Sequence, residues 1–424
     1  MKSVDHKTKN GTNELQAKVF TERESLLTEL LELKHFKILK HIFLAILFGF
    51  VATDLVKALA GKSHAHFGLK LIKTGFNNFH YGVVCWLVQF GINLLTYKFF
   101  KIWALKRIEY GPKDLLTKLW DTLFIVICIL YYISAVFLFP VLWADMNLGI
   151  ATLFAVLMEN VRLLMKSHAF IRSNVPDVLK HKQHSDEHLD LPTLKHYLYF
   201  SFAPTLLYRK EYPRTETRNL KRALLHFLDV LGIIWLESYI YEIFFLHSFA
   251  NFGKGEVDWM HVAVIVTQNA IAGGLIMLVN FYLILHAWCN CFADLMRFAD
   301  KRFYEDWWTS TNYSVYFRSW NIVVHDWLYE YIYKDFYYYI IPKNKIFARF
   351  IVFLLSALIH EQIIGFAVGH FLPILFVLFF CFGAIFNSLR TKHPAFYRQL
   401  NTSQEPTVRP SIKTDYRLYQ DFLL

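Results

Sequence analysis

A series of long apolar segments, separated by basic loops, constrains the fold of this chain more than any other feature. A helix needs about 20 mostly apolar residues to cross the hydrocarbon core of a bilayer. Eight segments approach or exceed this length: 42–60, 80–97, 119–144, 148–165, 226–247, 262–288, 346–371 and 372–389. The overall mean hydropathy of +0.30 agrees with them. The sequence therefore predicts an all-α, polytopic transmembrane helical bundle with about eight to nine membrane helices.

The formal charge of +11 raises the question of a nucleic-acid partner. Lys and Arg lie mainly in loops beside the apolar segments, for example in 98–118 and 166–222. This distribution is typical of cytoplasmic loops that face anionic lipid headgroups, so we expect a lipid bilayer and no nucleic acid. The polar start of the chain shows no cleavable signal peptide, and we expect it to be cytosolic.

The pattern divides the chain into three parts. Residues 1–40 form a cytosolic N-terminal segment, 41–389 a membrane-embedded domain, and 390–424 a polar tail. In the first part, SLLTELLELKHFKILK predicts an amphipathic helix. The five Cys lie in or beside apolar segments, and the loop HKQHSDEH at 181–188 mixes its His with Lys and Ser, so we expect neither disulfides nor a metal site.

Polar and aromatic side chains gather in FYEDWWTSTNYSVYFRSWNIVVHDW at 303–327 and in FLLSALIHEQIIGF at 353–366. On a continuous helix, Arg318, Asn321 and His325 would share one face. His360 lies deep in an apolar segment, where an ionisable residue is by default a functional candidate. A neutral imidazole can accept a proton from a hydroxyl group. Spacing alone leaves open a histidine that only packs in the core and tryptophans that only mark the bilayer interface.

Three ordered motifs resemble the sterol O-acyltransferase (acyl-CoA:cholesterol acyltransferase) branch of the membrane-bound O-acyltransferases. They are YFSFAPTLLYRKEYPRT (199–215), preceded by MENVRLLMKSHAFIRSNVP, then FYEDWWTSTNYSVYFRSWNIVVHDWLYEYIYKDF, and SALIHE. The resemblance implies a multi-pass enzyme of the endoplasmic reticulum membrane. Such an enzyme transfers a long-chain acyl group from acyl-CoA to a sterol 3-hydroxyl, uses no cofactor, and assembles as a homo-oligomer, a dimer or tetramer.

The same resemblance assigns roles to residues of the last two motifs. His360 would be a buried catalytic base on the sterol hydroxyl, and Asn321 would orient the substrate or donate to the developing oxyanion. The acyl-CoA path would be lined by Arg318, Trp320, His325, Tyr333, Lys345 and Ser356.

The chain departs from the family pattern at two places. Thr309 follows FYEDWW where the family usually has Asn, and the tail lacks the further hydrophobic segment and Cys pair of many members. Two alternatives stay open at this point. In the first, the acceptor is diacylglycerol or another lipid alcohol, because diacylglycerol acyltransferases share the FYxDWW and HE elements. In the second, the chain is a non-catalytic membrane protein that binds sterol or lipid.

Overall fold

The computed structural model describes residues 15, 17–61, 67–110, 114–181, 189–250, 258–310, 313–371 and 373–378. In a bilayer every backbone N–H and C=O must bond internally, which favours helices for apolar segments of this length. Helices α1–α15 are Leu26–Glu32, Lys34–Leu59, Leu69–Gly75, Phe79–Tyr110, Leu115–Ile133, Phe139–Ala144, Ile150–Lys180, Leu194–Phe202, Leu220–Ile240, Leu246–Ser248, Trp259–Phe281, Cys289–Met296, Tyr313–Trp320, Ile322–Trp327 and Lys345–Val368. Apart from two isolated β-bridges, these ranges contain no strand pairing, which confirms the all-α prediction.

Several helices continue through π-helical turns, a feature that is frequent at functional sites. The π-helical turns are Ser134–Leu138, Tyr241–Phe245, Tyr282–Trp288, Leu328–Tyr333 and Phe336–Ile340. As a result, α11 and α12 form one long helix, Trp259–Met296. One of these turns, Leu328–Tyr333, directly follows the HDW motif (His325–Trp327), and Phe336–Ile340 begins two residues after that turn ends.

Six helices in the described part of the chain are long and apolar enough to cross a membrane. They correspond to six of the eight predicted segments and are Lys34–Leu59, Phe79–Tyr110, Leu115–Ala144, Leu220–Phe245, Trp259–Met296 and Lys345–Val368. The predicted segment 148–165 is helical within α7 but carries Glu159 and Arg162. Most of 372–389, the tail 390–424 and nearly all of the loop 181–188 lie outside the described residues.

The predicted amphipathic helix at 25–40 is wrong in its extent. Helix α1 ends at Glu32, the backbone of Leu33 is extended, and the residues from Lys34 onward already belong to the first membrane helix. The division of the chain at residue 40 stays a prediction.

Polar side chains inside the bundle bond to neighbouring helices. Asn93 of α4 donates to the Ser167 hydroxyl of α7 at 2.7 Å, and the Tyr197 hydroxyl of α8 donates to the Asn93 side-chain oxygen at 3.0 Å. All three residues are buried. Bonds of this kind hold helices together where apolar contacts alone give little preference for protein over lipid.

Candidate functional site

Two of the three motifs meet along α7. The Trp327 indole donates to the Met165 carbonyl at 2.9 Å, which fixes the HDW motif to this helix. The Tyr331 hydroxyl accepts from the Tyr208 backbone N–H at 3.1 Å and lies 3.0 Å from the Ser173 hydroxyl. The fold therefore brings together stretches that are more than a hundred residues apart in sequence.

Charged residues of α7 hold the FAPTL segment. Arg162 pairs with Glu159 and donates to the Ser201 carbonyl at 2.7 Å. The buried Lys166 ammonium donates to the carbonyls of Phe200 and Ala203, the latter at 2.8 Å. Because a buried charge is costly unless it is hydrogen-bonded, these carbonyls offset much of the desolvation cost of the lysine.

The predicted common face of Arg318, Asn321 and His325 is wrong, because the helix breaks at Asn321. Helix α13 ends at Trp320, Asn321 has φ −140° and ψ 87°, and α14 begins at Ile322. The Asn321 side-chain oxygen accepts from the Val324 N–H at 3.1 Å. Asn favours this N-cap position because its side chain competes with helical backbone bonds. Arg318 and His325 consequently lie on different helices.

The Ile322 N–H donates to the Phe303 carbonyl at 3.0 Å, so the break at Asn321 is also tied to the FYEDWW motif. His325 is buried, and its Nδ1 lies 3.7 Å from a carboxylate oxygen of Asp326. Asp326 is buried as well and forms an ion pair with Lys18, close to the start of the chain. Helix α14 is thus embedded among three distant parts of the sequence.

Trp320 packs in an aromatic cluster around Phe281 of α11. The ring centroid of Phe281 lies 4.8 Å from that of Tyr304, 5.1 Å from that of Trp307 and 5.2 Å from that of Trp320. Trp307 and Trp320 meet edge to face at 4.5 Å. These pairs account for the aromatic content of the motif by packing, at about 0.5–1.5 kcal/mol each beyond area burial.

Tyr333 is fully buried between two other tyrosines. Its ring stacks on Tyr329 at 5.7 Å and on Tyr337 at 5.9 Å, and the three pack with Ala348 and Val352 of α15. The structure thus places Tyr333 at the contact between the π-helical turns and α15. Its role in the acyl-CoA path stays a prediction.

Helix α15 carries Lys345, Ser356 and His360. Lys345 is its first residue and follows the N-cap Asn344, whose side-chain oxygen accepts from the Phe347 N–H at 3.0 Å. Lys345 and Ser356 are half-buried. Helix α15 also contacts α13, because the rings of Phe317 and Phe353 lie 5.8 Å apart.

The prediction that His360 is buried is wrong, because its side chain is exposed in the described chain. The neighbouring Ala357 and Glu361 are buried against protein, whereas Leu358 is 48% exposed. The described residues therefore bury only one side of α15 in this region, and the side chain of His360 lies on the exposed side. The predicted role of His360 as a base is not affected by this correction, since a base needs access to its substrate.

The imidazole of His360 has a defined orientation. Its Nδ1 lies 2.7 Å from the Ser356 carbonyl oxygen. A carbonyl only accepts, so Nδ1 must carry the proton, and in the neutral ring Nε2 then holds the lone pair. The geometry presents Nε2 as the basic nitrogen.

Glu361, the acid of the HE pair, has a structural partner. It is buried, and one carboxylate oxygen accepts from the backbone N–H groups of Leu375 and Phe376 at 3.0 and 3.2 Å. These groups belong to the short helix at 374–378. Glu361 thus satisfies N–H groups that a helix start leaves without partners.

Thr309 forms local bonds in place of the usual Asn. Its hydroxyl oxygen lies 2.8 Å from the Asp306 carbonyl and 3.0 Å from the Asp306 carboxylate. The hydroxyl donates to these acceptors and supports the turn of Trp307–Thr309. Thr309 therefore makes its own side-chain hydrogen bonds at this position.

Two histidines with hydrogen-bond partners inside the protein, the buried His286 and the half-buried His168, were not singled out from the sequence. The His286 Nδ1 lies 2.7 Å from the Tyr304 hydroxyl, and the Asn290 amide donates to the His286 carbonyl at 2.8 Å. His168 of α7 lies with Nδ1 3.2 Å from the Tyr132 hydroxyl, and its ring is 5.5 Å from that of Trp327. The available signal was the position of His286 inside the apolar segment 262–288, whereas His168 follows the segment 148–165. Among the described residues, no three His, Cys, Asp or Glu side chains lie together as metal ligands.

Residues 76–400 match the family described as MBOAT, membrane-bound O-acyltransferase family. The chain is 36% identical over 373 residues to sterol O-acyltransferase 1 of Mus musculus, an alignment that covers 88% of this chain and 68% of the relative. It is 33% identical over 375 residues to sterol O-acyltransferase 2 of Homo sapiens, which covers 87% of this chain and 69% of the relative.

Proposed function

The chain belongs to the membrane-bound O-acyltransferase family, and we propose that it transfers a long-chain acyl group from acyl-CoA to the 3-hydroxyl of a sterol. The observation that carries this proposal is the similarity to sterol O-acyltransferases 1 and 2 along nearly nine-tenths of the chain. The six membrane helices make it a multi-pass membrane protein, so a sterol reaches it through the bilayer.

His360 acts as the general base in the proposed reaction. Its Nε2 takes the proton of the sterol hydroxyl as that oxygen attacks the thioester carbonyl. The new C–O bond forms, the C–S bond breaks, and the proton passes from Nε2 to the departing CoA thiolate. The Nδ1 bond to the Ser356 carbonyl supports this role, because it keeps the ring in one tautomer.

Asn321 supplies the second group of the reaction. Its side-chain oxygen is occupied by the Val324 N–H, so the amide NH₂ is the end that can donate to a substrate. A donor aimed at the developing oxyanion is worth about 10²–10³-fold in kcat in other acyl-transfer enzymes. The N-cap thereby offers a fixed donor at little further entropic cost.

The acyl-CoA path is proposed to pass the residues that the resemblance assigns to it. Arg318 and Lys345 are half-buried cationic residues at the ends of α13 and α15, suited to an anionic CoA head. Trp320, His325, Tyr333 and Ser356 complete the proposed lining. Placement in the endoplasmic reticulum membrane and assembly as a homo-oligomer stay predictions from the resemblance.

The proposal is tested in membranes that contain the expressed chain. These membranes receive labelled oleoyl-CoA, a sterol and diacylglycerol as a competing acceptor. We expect steryl ester, and we expect His360→Ala to abolish it at equal protein level. His370→Ala is the matched control, because His370 is an exposed histidine just past α15 whose Nδ1 also bonds a backbone carbonyl. If the label appeared only in triacylglycerol, the acceptor would be diacylglycerol and not a sterol. If intact protein formed no ester of either lipid, the enzymatic function would be refuted.

A further inference from the structure

The start of the chain lies against the segment that contains Asn321. The Lys18 ammonium pairs with the Asp326 carboxylate across 308 residues of sequence, and the two side chains are 13% and 4% exposed. Asp326 lies between His325 and Trp327 in α14. Helix α14 covers Ile322–Trp327 and continues directly into the π-helical turn Leu328–Tyr333. Its start, next to Asn321, is an end of this longer helix and is held by contacts with other parts of the chain.

Three contacts fix α14, each to a different part of the chain. At its start, the Ile322 N–H donates to the Phe303 carbonyl at 3.0 Å. At its end, the Trp327 indole donates to the Met165 carbonyl at 2.9 Å. Lys18 provides a charged contact near the same end, from the opposite terminus of the sequence. The first two contacts are neutral hydrogen bonds to carbonyl groups, whereas the third is an ion pair with the buried Asp326 carboxylate.

We propose that Lys18 is a positioning residue for acyl transfer, which holds α14, and through it the Asn321 amide, by its ion pair with Asp326. This inference rests on the proposed function, since Asn321 is the donor whose position is at stake. Lys18 touches no reacting atom in this scheme. Its effect reaches the reaction through the six residues of α14.

Other contacts hold the N-terminal segment independently of Lys18. Arg23 pairs with Asp300 at 2.7 Å, and its N–H donates to the Ala299 carbonyl at 2.9 Å. Glu24 pairs with Arg222 at 3.1 Å and with Lys301 at 3.2 Å. Replacement of Lys18 therefore leaves the segment attached and removes mainly the link to α14.

The ion pair borders a small cavity. Lys18 and Asp326 line a cavity of about 10 Å³, which has room for about one water molecule. Asp300 and Arg302 line the same cavity, and His325 lies beside Asp326 in α14, so three charged or titratable groups of the described chain lie next to the pair. Burial acts to raise the pKa of Asp326, but Lys18 and His325 lower it, and the net value is about 2, below its ordinary value of 3.8.

This depressed pKa sets the expected pH dependence. Because the pKa of Asp326 is lowered, its carboxylate is charged above its ordinary pKa and takes up a proton only as the pH falls towards about 2. The ion pair in the wild type is therefore intact throughout the assay range. Without Lys18, the burial that acts to raise the pKa of Asp326 is no longer opposed by the lysine. Proton uptake by Asp326 then relieves a buried, uncompensated charge as the pH falls.

The experiment compares Lys18→Met, Lys18→Arg and the double variant Lys18→Met/Asp326→Asn in the sterol esterification assay. We expect Lys18→Met to lower kcat about tenfold with little change in the KM for sterol, since small displacements of a positioned group cost rate. Arg keeps the charge, so Lys18→Arg restores most of the rate. The ratio of Lys18→Met to wild-type activity should rise as the pH is lowered, because Asp326 takes up a proton more readily without Lys18. Lys106→Met, at an exposed pair with Glu109, is the matched control and keeps wild-type kinetics.

The double variant keeps the test decisive if Lys18→Met does not accumulate. It removes both charges, which is far less harmful to folding than leaving one buried, and we expect a kcat between those of the single variant and the wild type. Wild-type kcat in the double variant, or in Lys18→Met, overturns the positioning role. A wild-type chain that forms no steryl ester refutes the proposed function instead, so the two failures are distinguishable.

Discussion

The Nδ1 of His360 lies 2.7 Å from the carbonyl oxygen of Ser356, one helical turn earlier in α15. The bond uses the backbone of Ser356 and not its hydroxyl. A spacing of four residues on a helix places the two side chains on one face, but it does not determine which oxygen of Ser356 the imidazole contacts. The tautomer of His360 therefore depends on the backbone carbonyl at position 356 and not on which side chain is present there.

The first prediction follows from that separation. Ser356→Ala retains the carbonyl, so we expect the tautomer of His360 and most of kcat to be retained. The predicted contact of the hydroxyl with acyl-CoA is lost, which raises the KM for acyl-CoA. Steady-state kinetics with varied acyl-CoA measure both parameters. A fall in kcat as large as that of His360→Ala would contradict the assignment.

The second prediction separates the two roles of Asn321. Asn321→Asp keeps an oxygen for the Val324 N–H, so α14 remains capped, but it removes the NH₂ donor. We expect a nearly unchanged Tm in detergent and a loss of steryl ester formation of about 10²–10³-fold. Asn321→Ala loses the cap as well and should cost about 1 kcal/mol of stability.

The matched control for Asn321 is the other capping asparagine, Asn344, whose oxygen accepts from the Phe347 N–H at 3.0 Å. Asn344→Asp makes the same chemical change at the start of α15 and should keep both stability and activity. If Asn321→Asp retained full activity, the side chain would be a helix cap only, and the oxyanion donor would have to be sought elsewhere.

The membrane helices could be predicted from the sequence because the length of an apolar segment is a local property. Six of the predicted segments correspond to membrane-length helices in the described chain. The break at Asn321 could not be predicted in the same way. The spacing of Arg318, Asn321 and His325 fits a continuous helix, whereas the break depends on the contact of Ile322 with Phe303, nineteen residues earlier.

Long-range contacts also explain what was missed at the site. Lys18 precedes Asp326 by 308 residues, and neither belongs to a pattern that indicates the other. His286 bonds Tyr304 of a different segment, so only the fold reveals that this histidine has a hydrogen-bond partner. The exposure of His360 depends in the same way on which neighbours cover α15, and an apolar sequence around it does not determine that.

The third prediction concerns the link between the FAPTL segment and the HDW motif. Tyr331→Phe removes the oxygen that accepts from the buried Tyr208 N–H. An unsatisfied buried donor costs about 1–3 kcal/mol, so we expect a lower Tm in detergent. Tyr339→Phe, at a tyrosine that is 72% exposed, is the control and should leave the Tm nearly unchanged. Equal Tm values for the two variants would show that this hydrogen bond does not stabilise the fold.

The fourth prediction concerns the acid of the HE pair. Glu361→Ala leaves the N–H groups of Leu375 and Phe376 without their carboxylate acceptor, whereas Glu361→Gln keeps an oxygen of the same reach. We expect the Ala variant to lose both stability and activity and the Gln variant to keep most of each. Thermal unfolding and esterification, measured on the same preparations, test this. Inactivity of a stable Gln variant would instead point to a role of the charge in the reaction.

The last prediction concerns Gly149, directly before α7. A Cβ at this position would lie 2.6 Å from the Thr74 carbonyl oxygen and 2.7 Å from the Asn77 nitrogen, and would also contact the Gly75 carbonyl oxygen. These are backbone atoms that cannot rotate away, and the Gly149 N–H already donates to the Asn77 carbonyl at 3.0 Å. Gly149→Ala must therefore separate the start of α7 from the end of α3 and the residues after it, at a cost of about 1–3 kcal/mol. Gly91→Ala is the control, because a Cβ there meets nothing within 4 Å and alanine favours the helix. We expect Gly149→Ala to lower the Tm and the level of protein in the membrane while Gly91→Ala keeps both, and equal stability of the two variants would mean that the backbones at α7 and α3 can separate freely.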